Sequence, residues 1–327
     1  MKFSTEVEIK SNTKRIEIHD KIFSIGSCFA TEMHDLLSNA QWQTLNNPFG
    51  TLFNPWSINQ ELTILQKNKK YTEEDLIAYQ DEYISLDHHT SFNSRNIDLT
   101  LDKINHKIEL GNAFLRDCRF VIITYGTSFI YEFLPKQKLV ANCHKIPGKF
   151  FKKRLLTPEE IETSISETIK SIKSICKFDV QILFSISPVR HSKDGFVENN
   201  RSKSLLISAI HEAIEKNENC HYLPIYEIMM DELRDYRFYK EDLLHPSKQA
   251  VNYIFEKFLK AYFSDRAQEF MAENFKITQA LQHRPSDDNH PKYQEFLRNL
   301  KQKISEQQTK ASHKIFVEHL TMNHSDR

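Results

Sequence analysis

The feature that most limits how this chain can fold is a pair of uninterrupted apolar runs, Phe120-Val121-Ile122-Ile123 and Ile182-Leu183-Phe184. A strand with one face in water alternates apolar and polar residues. A strand that is apolar at every position is buried on both faces, as in a parallel sheet covered by helices. From about residue 20 to 263, strand-like runs at 21–25, 119–125, 129–133, 181–187 and 221–223 alternate with amphipathic helical patterns. The helical patterns lie at 98–117, 158–177, 200–216 and 247–263. The segment 158–177 is the clearest: Thr157 is placed to cap it, Pro158 opens it, and Glu159 and Glu160 fill its first turn. Ile161, Ile165, Ile169, Ile172 and Ile175 then form one stripe for the core. This alternation predicts an α/β fold, a three-layer α/β/α sandwich on a mainly parallel sheet.

Two parts depart from the alternation. Residues 46–60, rich in Asn, Pro and aromatics, read as an ordered loop on the rim of the sheet. After about residue 264 the chain is charged, with weak helical patterns at 265–281 and 291–308 and a polar NHSDR end. The expected organisation is an N-terminal extension (1–19), an α/β domain (20–263) and a helical C-terminal tail (264–327).

Composition narrows the partners. Lys+Arg and Asp+Glu are equal at 44 each, which argues against a dedicated nucleic-acid binder. No run of about 18 apolar residues suggests a membrane span, and the polar N-terminus does not resemble a signal peptide, so a cytoplasmic protein is expected. Cys28, Cys118, Cys143, Cys176 and Cys220 are scattered without a C-x-x-C pair, which disfavours a disulfide framework or a zinc knuckle. The oligomeric state is not legible.

Two segments carry chemistry. In Lys21-Ile-Phe-Ser-Ile-Gly26-Ser27-Cys28-Phe29-Ala30, a short strand stops at a glycine. Two nucleophile candidates, Ser27 and Cys28, follow, and then a helical pattern of Phe29, Met33, Leu36 and Leu37. This order lifts a reactive side chain to the carboxyl edge of a sheet at a helix N-terminus. Glycine is scarce, 6 in the chain, so Gly26, Gly50 and Gly126 at strand ends and turns read as required. In Asp242-Leu-Leu-His245-Pro246-Ser247, the carboxylate can orient the imidazole across one turn. A carboxylate that orients a histidine, which in turn deprotonates a nucleophile, is the logic of acyl transfer. Taken alone, Asp242 could equally cap a helix and His245 sit on the surface.

Gly26-Ser27-Cys28-Phe29-Ala30 resembles the motif that names the GSCFA family, which belongs with the SGNH/GDSL hydrolase-like proteins. Further blocks look like the family's in the same order: Asn47-Pro48-Phe49-Gly50 with Asn54-Pro55, Thr124-Tyr125-Gly126-Thr127-Ser128, and Asn142-Cys143-His144-Lys145. Ser187-Pro188-Val189-Arg190, Asn200-Arg201-Ser202-Lys203 and Asp242-x-x-His245-Pro246 continue the series. The resemblance implies a flavodoxin-like α/β/α hydrolase fold and ester or acyl chemistry. In SGNH hydrolases the nucleophile stands two residues after the glycine. That register points to Cys28, while residue type points to Ser27. A thiol at a helix N-terminus near His245 is expected to have a lowered pKa. Gly50 resembles the family's oxyanion glycine. Gly126-Thr127-Ser128 stands where a G-x-N-D block would, without its Asn, so Thr127 or Asn142 is left to supply the missing donor. His144 joins the substrate-binding candidates, and Arg190 and Lys145 suit an anionic substrate group.

The leading expectation is a hydrolase or acyltransferase acting on an ester or acyl group of a small molecule or carbohydrate, with no cofactor and no metal. Cys28 or Ser27 would attack, His245 would move the proton, Asp242 would orient it, and N–H groups near Gly50 and residues 27–29 would bind the oxyanion. The alternatives are a binding or scaffold protein that has lost the chemistry, or a metal-assisted hydrolase. The last would need His88 or His89 to converge with His144, and His191 and His245 offer further nitrogen ligands.

Overall fold

The computed structural model describes residues 5–11, 13–282 and 290–317. The polar end at 323–327 lies outside these. Five strands form a wholly parallel central sheet: β1 (Lys21–Gly26), β2 (Thr44–Asn46), β3 (Cys118–Tyr125), β4 (Gln181–Ile186) and β5 (Cys220–Tyr222). Their spatial order is β5-β4-β3-β1-β2. The chain therefore winds outward in both directions from a switch point between β1 and β3. In sheets of this order, ligands bind at the carboxyl ends of the strands beside that point.

Alternate residues of the buried strands feed two cores. Phe23, Ile25, Val121, Ile123, Ile182 and Phe184 face one layer. That layer holds α2 (Pro55–Lys67), α3 (Ile97–Arg116), α4 (Pro158–Ile175) and α5 (Phe196–Glu215). Ile22, Phe120, Ile122 and Leu183 face the other. Its helices are α1 (Cys28–Asn39), α6 (Lys248–Tyr262), α7 (Asp265–Leu281) and α8 (Pro291–Gln308). The predicted isoleucine stripe of α4 is buried throughout, and Thr157 and Glu160 form a reciprocal capping box at its start. The three-layer sandwich with C-terminal helices is thus the fold.

Two local expectations are corrected. Only part of 46–60 is loop: Asn54 caps Ser57 N–H at 2.8 Å and α2 runs from Pro55. Its Ile58, Leu62 and Leu65 are core residues, so the Asn-Pro signal marks a helix start. The strand at 129–133 does not join the central sheet. Phe129–Phe133 is the middle of a three-stranded antiparallel sheet with Lys138–Val140 and Phe151–Leu155. The C-terminal helices share a continuous core with α1 and α6 through Phe270, Met271, Ile277, Leu300 and Ile304. Ile16 is locked in as well: its N–H donates to Tyr262 O at 2.7 Å and its carbonyl accepts from Ser264 N–H at 3.1 Å. Among the described residues no helix is long and apolar enough to cross a membrane.

Candidate active site

The turn after β1 is fixed by close packing. Gly26 has φ +138°, and a Cβ there would lie 2.1 Å from the Thr124 carbonyl oxygen on β3. Its N–H donates to Asn47 Oδ1 at 2.7 Å, and the next N–H, of Ser27, donates to Thr124 O at 3.0 Å. Ser27 is buried and its hydroxyl oxygen has no partner among the described residues. Cys28 opens α1 and is partly exposed. Of the two nucleophile candidates, Cys28 is the one a reagent can reach.

The electrostatics of that thiol differ from expectation. Burial raises its pKa above the ordinary cysteine value, and Glu32 adds to the rise. The N–H groups of Cys28 and Phe29 and the Lys240 ammonium pull it back without reversing the shift. Desolvation of the thiolate outweighs the partial charge of the helix end.

The second half of the site is the loop before α6. Asp242 Oδ1 accepts the N–H groups of Leu244 and His245, both at 2.9 Å, and Oδ2 accepts from His245 Nδ1 at 2.6 Å. A carboxylate can only accept here, so Nδ1 carries a proton, and in the neutral imidazole Nε2 is the nitrogen with the free lone pair. The backbone N–H groups of His245 and Leu244, with the imidazole, hold the Asp242 carboxyl at about 2. The loop is tied at three points. Lys240 N–H donates to His245 O at 2.7 Å, Arg190 N–H to Leu244 O at 3.2 Å, and Lys240 Nζ to Glu32 Oε1 on α1 at 2.7 Å. The Lys240 ammonium is in electrostatic range of both Cys28 and Asp242. The fold therefore brings the two sequence segments to the same edge of the sheet. Among the described residues, no hydrogen bond joins Cys28 Sγ to His245.

Of the expected oxyanion donors, Gly50, Gly126 and Thr127 are engaged elsewhere, whereas Asn142 is engaged only through its acceptor oxygen. Gly50 N–H donates to Asn47 O at 2.8 Å, and a Cβ on Gly50 would meet His89 Cβ at 2.2 Å, so this glycine serves packing. Gly126 and Thr127 N–H both donate to Phe53 O, at 2.7 and 3.0 Å. Thr127 Oγ1 is engaged with Ser202 Oγ at 3.0 Å and accepts from Phe129 N–H at 3.1 Å. Asn142 Oδ1 accepts from His144 N–H at 2.9 Å. The remaining donors at the thiol are the first-turn N–H groups of Cys28 and Phe29, which have no intrahelical acceptor.

The histidines of the metal alternative meet at Ser85 rather than at an open point. His88 Nδ1 lies 2.8 Å from Ser85 Oγ, and His144 Nε2 lies 2.7 Å from Ser85 O. His88 is wholly buried against Phe49, which lowers its pKa to about 3. Among the described residues no three His, Cys, Asp or Glu side chains are grouped to hold a metal ion.

Lys203 had no assigned role in the sequence, and His191 had one only as a metal ligand. Lys203, fully buried on α5, donates through Nζ to Ser187 O at 2.6 Å and Gly126 O at 3.2 Å. Burial lowers its pKa to about 7, partly offset by Cys28. His191 sits edge-on to Phe53, with its pKa pushed to about 4 by burial, then by Lys203, with His245 contributing. The block Asn200–Lys203 contained the signal, but a lysine on an amphipathic helix reads as solvated surface. Arg190 stacks on Phe196 at 4.2 Å and reaches Tyr239 at 6.0 Å.

Fold and site define an α/β sandwich with a cysteine, an oriented histidine and an aspartate at the β1/β3 switch point. The chain belongs to the GSCFA family: the family model matches residues 21–258, and the model of the family's C-terminal domain matches 275–317. No curated protein matches it. Solved structures similar to it include a family 3 carbohydrate esterase from Clostridium thermocellum, at 12% identity and TM-score 0.34. That match covers 81% of this chain and 100% of the esterase. A GDSL-like lipase from Bacteroides thetaiotaomicron matches at 9% identity and TM-score 0.38, covering 74% of this chain and 87% of the lipase.

Proposed function

We propose that the protein cleaves or transfers an acyl group of a small molecule or carbohydrate through a covalent intermediate on Cys28. The observation that carries this is the Asp242–His245 pair, with Nδ1 fixed as donor and Nε2 left as a base, on a loop pinned to the helix that Cys28 opens. His245 takes the thiol proton as sulfur attacks the acyl carbon, then returns it to the leaving oxygen. Water or a second substrate releases the acyl group. The N–H groups of Cys28 and Phe29 receive the oxyanion.

A second reading, a binding protein without turnover, draws on the raised thiol pKa and on the missing hydrogen bond between thiol and imidazole. Labelling with iodoacetamide and fluorophosphonate probes, mapped by mass spectrometry, separates the two. Fast modification of Cys28 that slows in His245→Ala supports the enzyme. Modification no faster than a free thiol, and indifferent to His245, supports the binding protein.

A further inference from the structure

Three of the cations whose charge is felt at Cys28 or His191 are spent. Lys240 pairs with Glu32 at 2.7 Å, Lys153 pairs with Asp194, and Lys203 donates to two backbone carbonyls. Arg190 is different. Among the described residues its guanidinium has no carboxylate partner, and only aromatic rings hold it, Phe196 at 4.2 Å and Tyr239 at 6.0 Å. Stacking fixes the plane of a guanidinium and leaves its N–H edges open. The backbone of Arg190 is bound to Leu244, next to His245. Its neighbour His191 senses His245, and Tyr239 adjoins Lys240, whose ammonium senses Cys28. A half-buried, preoriented and unspent positive charge is thus tied to the loop that carries the proposed base.

We propose that Arg190 anchors a carboxylate of the substrate, so that the protein acts on acyl compounds bearing a carboxylate besides the bond to be broken. This rests on the acyl-transfer reading above. The guanidinium fork matches a carboxylate edge to edge with two parallel hydrogen bonds. One unspent positive charge balances a monoanion. A phosphate dianion would leave surplus negative charge near Asp242 and Glu32, whose own partners are already fixed.

Iodoacetate and iodoacetamide test this on the full chain. In both reactions the Cys28 thiolate displaces iodide from the same carbon, and the reagents differ mainly in the charge of the remote group. The thiol pKa cancels in the ratio of their rate constants at one pH. At Cys28 that ratio should exceed the value for free cysteine by about tenfold, the worth of a charge-assisted hydrogen bond. It should fall to the free-cysteine value in Arg190→Met and recover in part in Arg190→Lys. A wild-type ratio equal to that of free cysteine overturns the proposal without any variant. So does a ratio unchanged in Arg190→Met, or one that falls in Lys240→Met instead. The absolute iodoacetamide rate and its dependence on His245 report separately on the acyl-transfer reading.

Discussion

Asn47 Oδ1 accepts the Gly26 N–H across 2.7 Å, joining two sequence blocks at the turn that presents Cys28. The bond is buried, so its loss leaves an unpaired N–H beneath the nucleophile. Asn47→Ala should destabilise the protein by about 1–3 kcal/mol in urea unfolding. Asn47→Asp, which keeps an acceptor, should lose clearly less. Equal losses would mean that a retained acceptor for the Gly26 N–H is not what asparagine supplies at 47.

The glycines on either side of the turn should respond unequally. Gly26→Ala combines a positive φ with a Cβ 2.1 Å from a backbone oxygen, and neither can relax locally. At Gly126 the nearest atom to an added Cβ is Phe53 Cδ1 at 3.1 Å, a side-chain atom. Gly26→Ala should cost more than about 3 kcal/mol or abolish folding, and Gly126→Ala about 1 kcal/mol. Thermal melts of the two variants check the order.

Replacing Asp242 should affect turnover rather than stability. The pair with His245 is half-exposed, so Asp242→Asn should change stability by less than about 0.5 kcal/mol. It should lower turnover of an ester substrate by about 10²–10⁴-fold, because the imidazole loses its fixed tautomer. With the carboxyl held at about 2, Asp242 stays ionised as pH falls from 7 to 4. An acid limb in that range must persist in Asp242→Asn. If it vanishes, Asp242 is the titrating group and the assignment fails.

Lys203 should leave a signature in stability against pH. Its pKa is about 7 in the fold, against about 10.4 when unfolded. Between these values the unfolded chain holds a proton that the folded chain lacks, so rising pH favours folding. Stability of wild type relative to Lys203→Met should be flat below about pH 6 and rise above 7 by at most about 1.4 kcal/mol per pH unit. It should level off above about 10.4. Paired urea titrations from pH 6 to 10 measure it. A difference that does not rise with pH would mean that Lys203 remains charged through its two carbonyl acceptors.

What the sequence made legible follows from the range of the signal. Strands β1, β3 and β4 and helices α3, α4 and α6 fall within one or two residues of their predicted spans, because periodicity and caps act locally. Helix α5 begins at Phe196, earlier than its periodic stripe, because Gly195 at φ 82° opens it. The Asp242–His245 contact was legible because the partners are only three positions apart. The fate of the Gly50, Gly126 and Thr127 N–H groups was not. Their acceptors are the carbonyls of Asn47 and Phe53, and a tertiary acceptor leaves no mark on residue type. Burial of Lys203 and the upward shift of the Cys28 thiol were hidden for the same reason: both depend on desolvation by elements distant in sequence.

Mass spectrometry of the protein quenched during exposure to p-nitrophenyl acetate would test Cys28 as nucleophile most directly. An acetyl thioester should form on the peptide containing Cys28, form markedly more slowly in His245→Ala, and be absent in Cys28→Ala while Ser27→Ala still acquires it. Acetyl groups found elsewhere, or formed at Cys28 equally fast without His245, would contradict a histidine-activated cysteine at this turn.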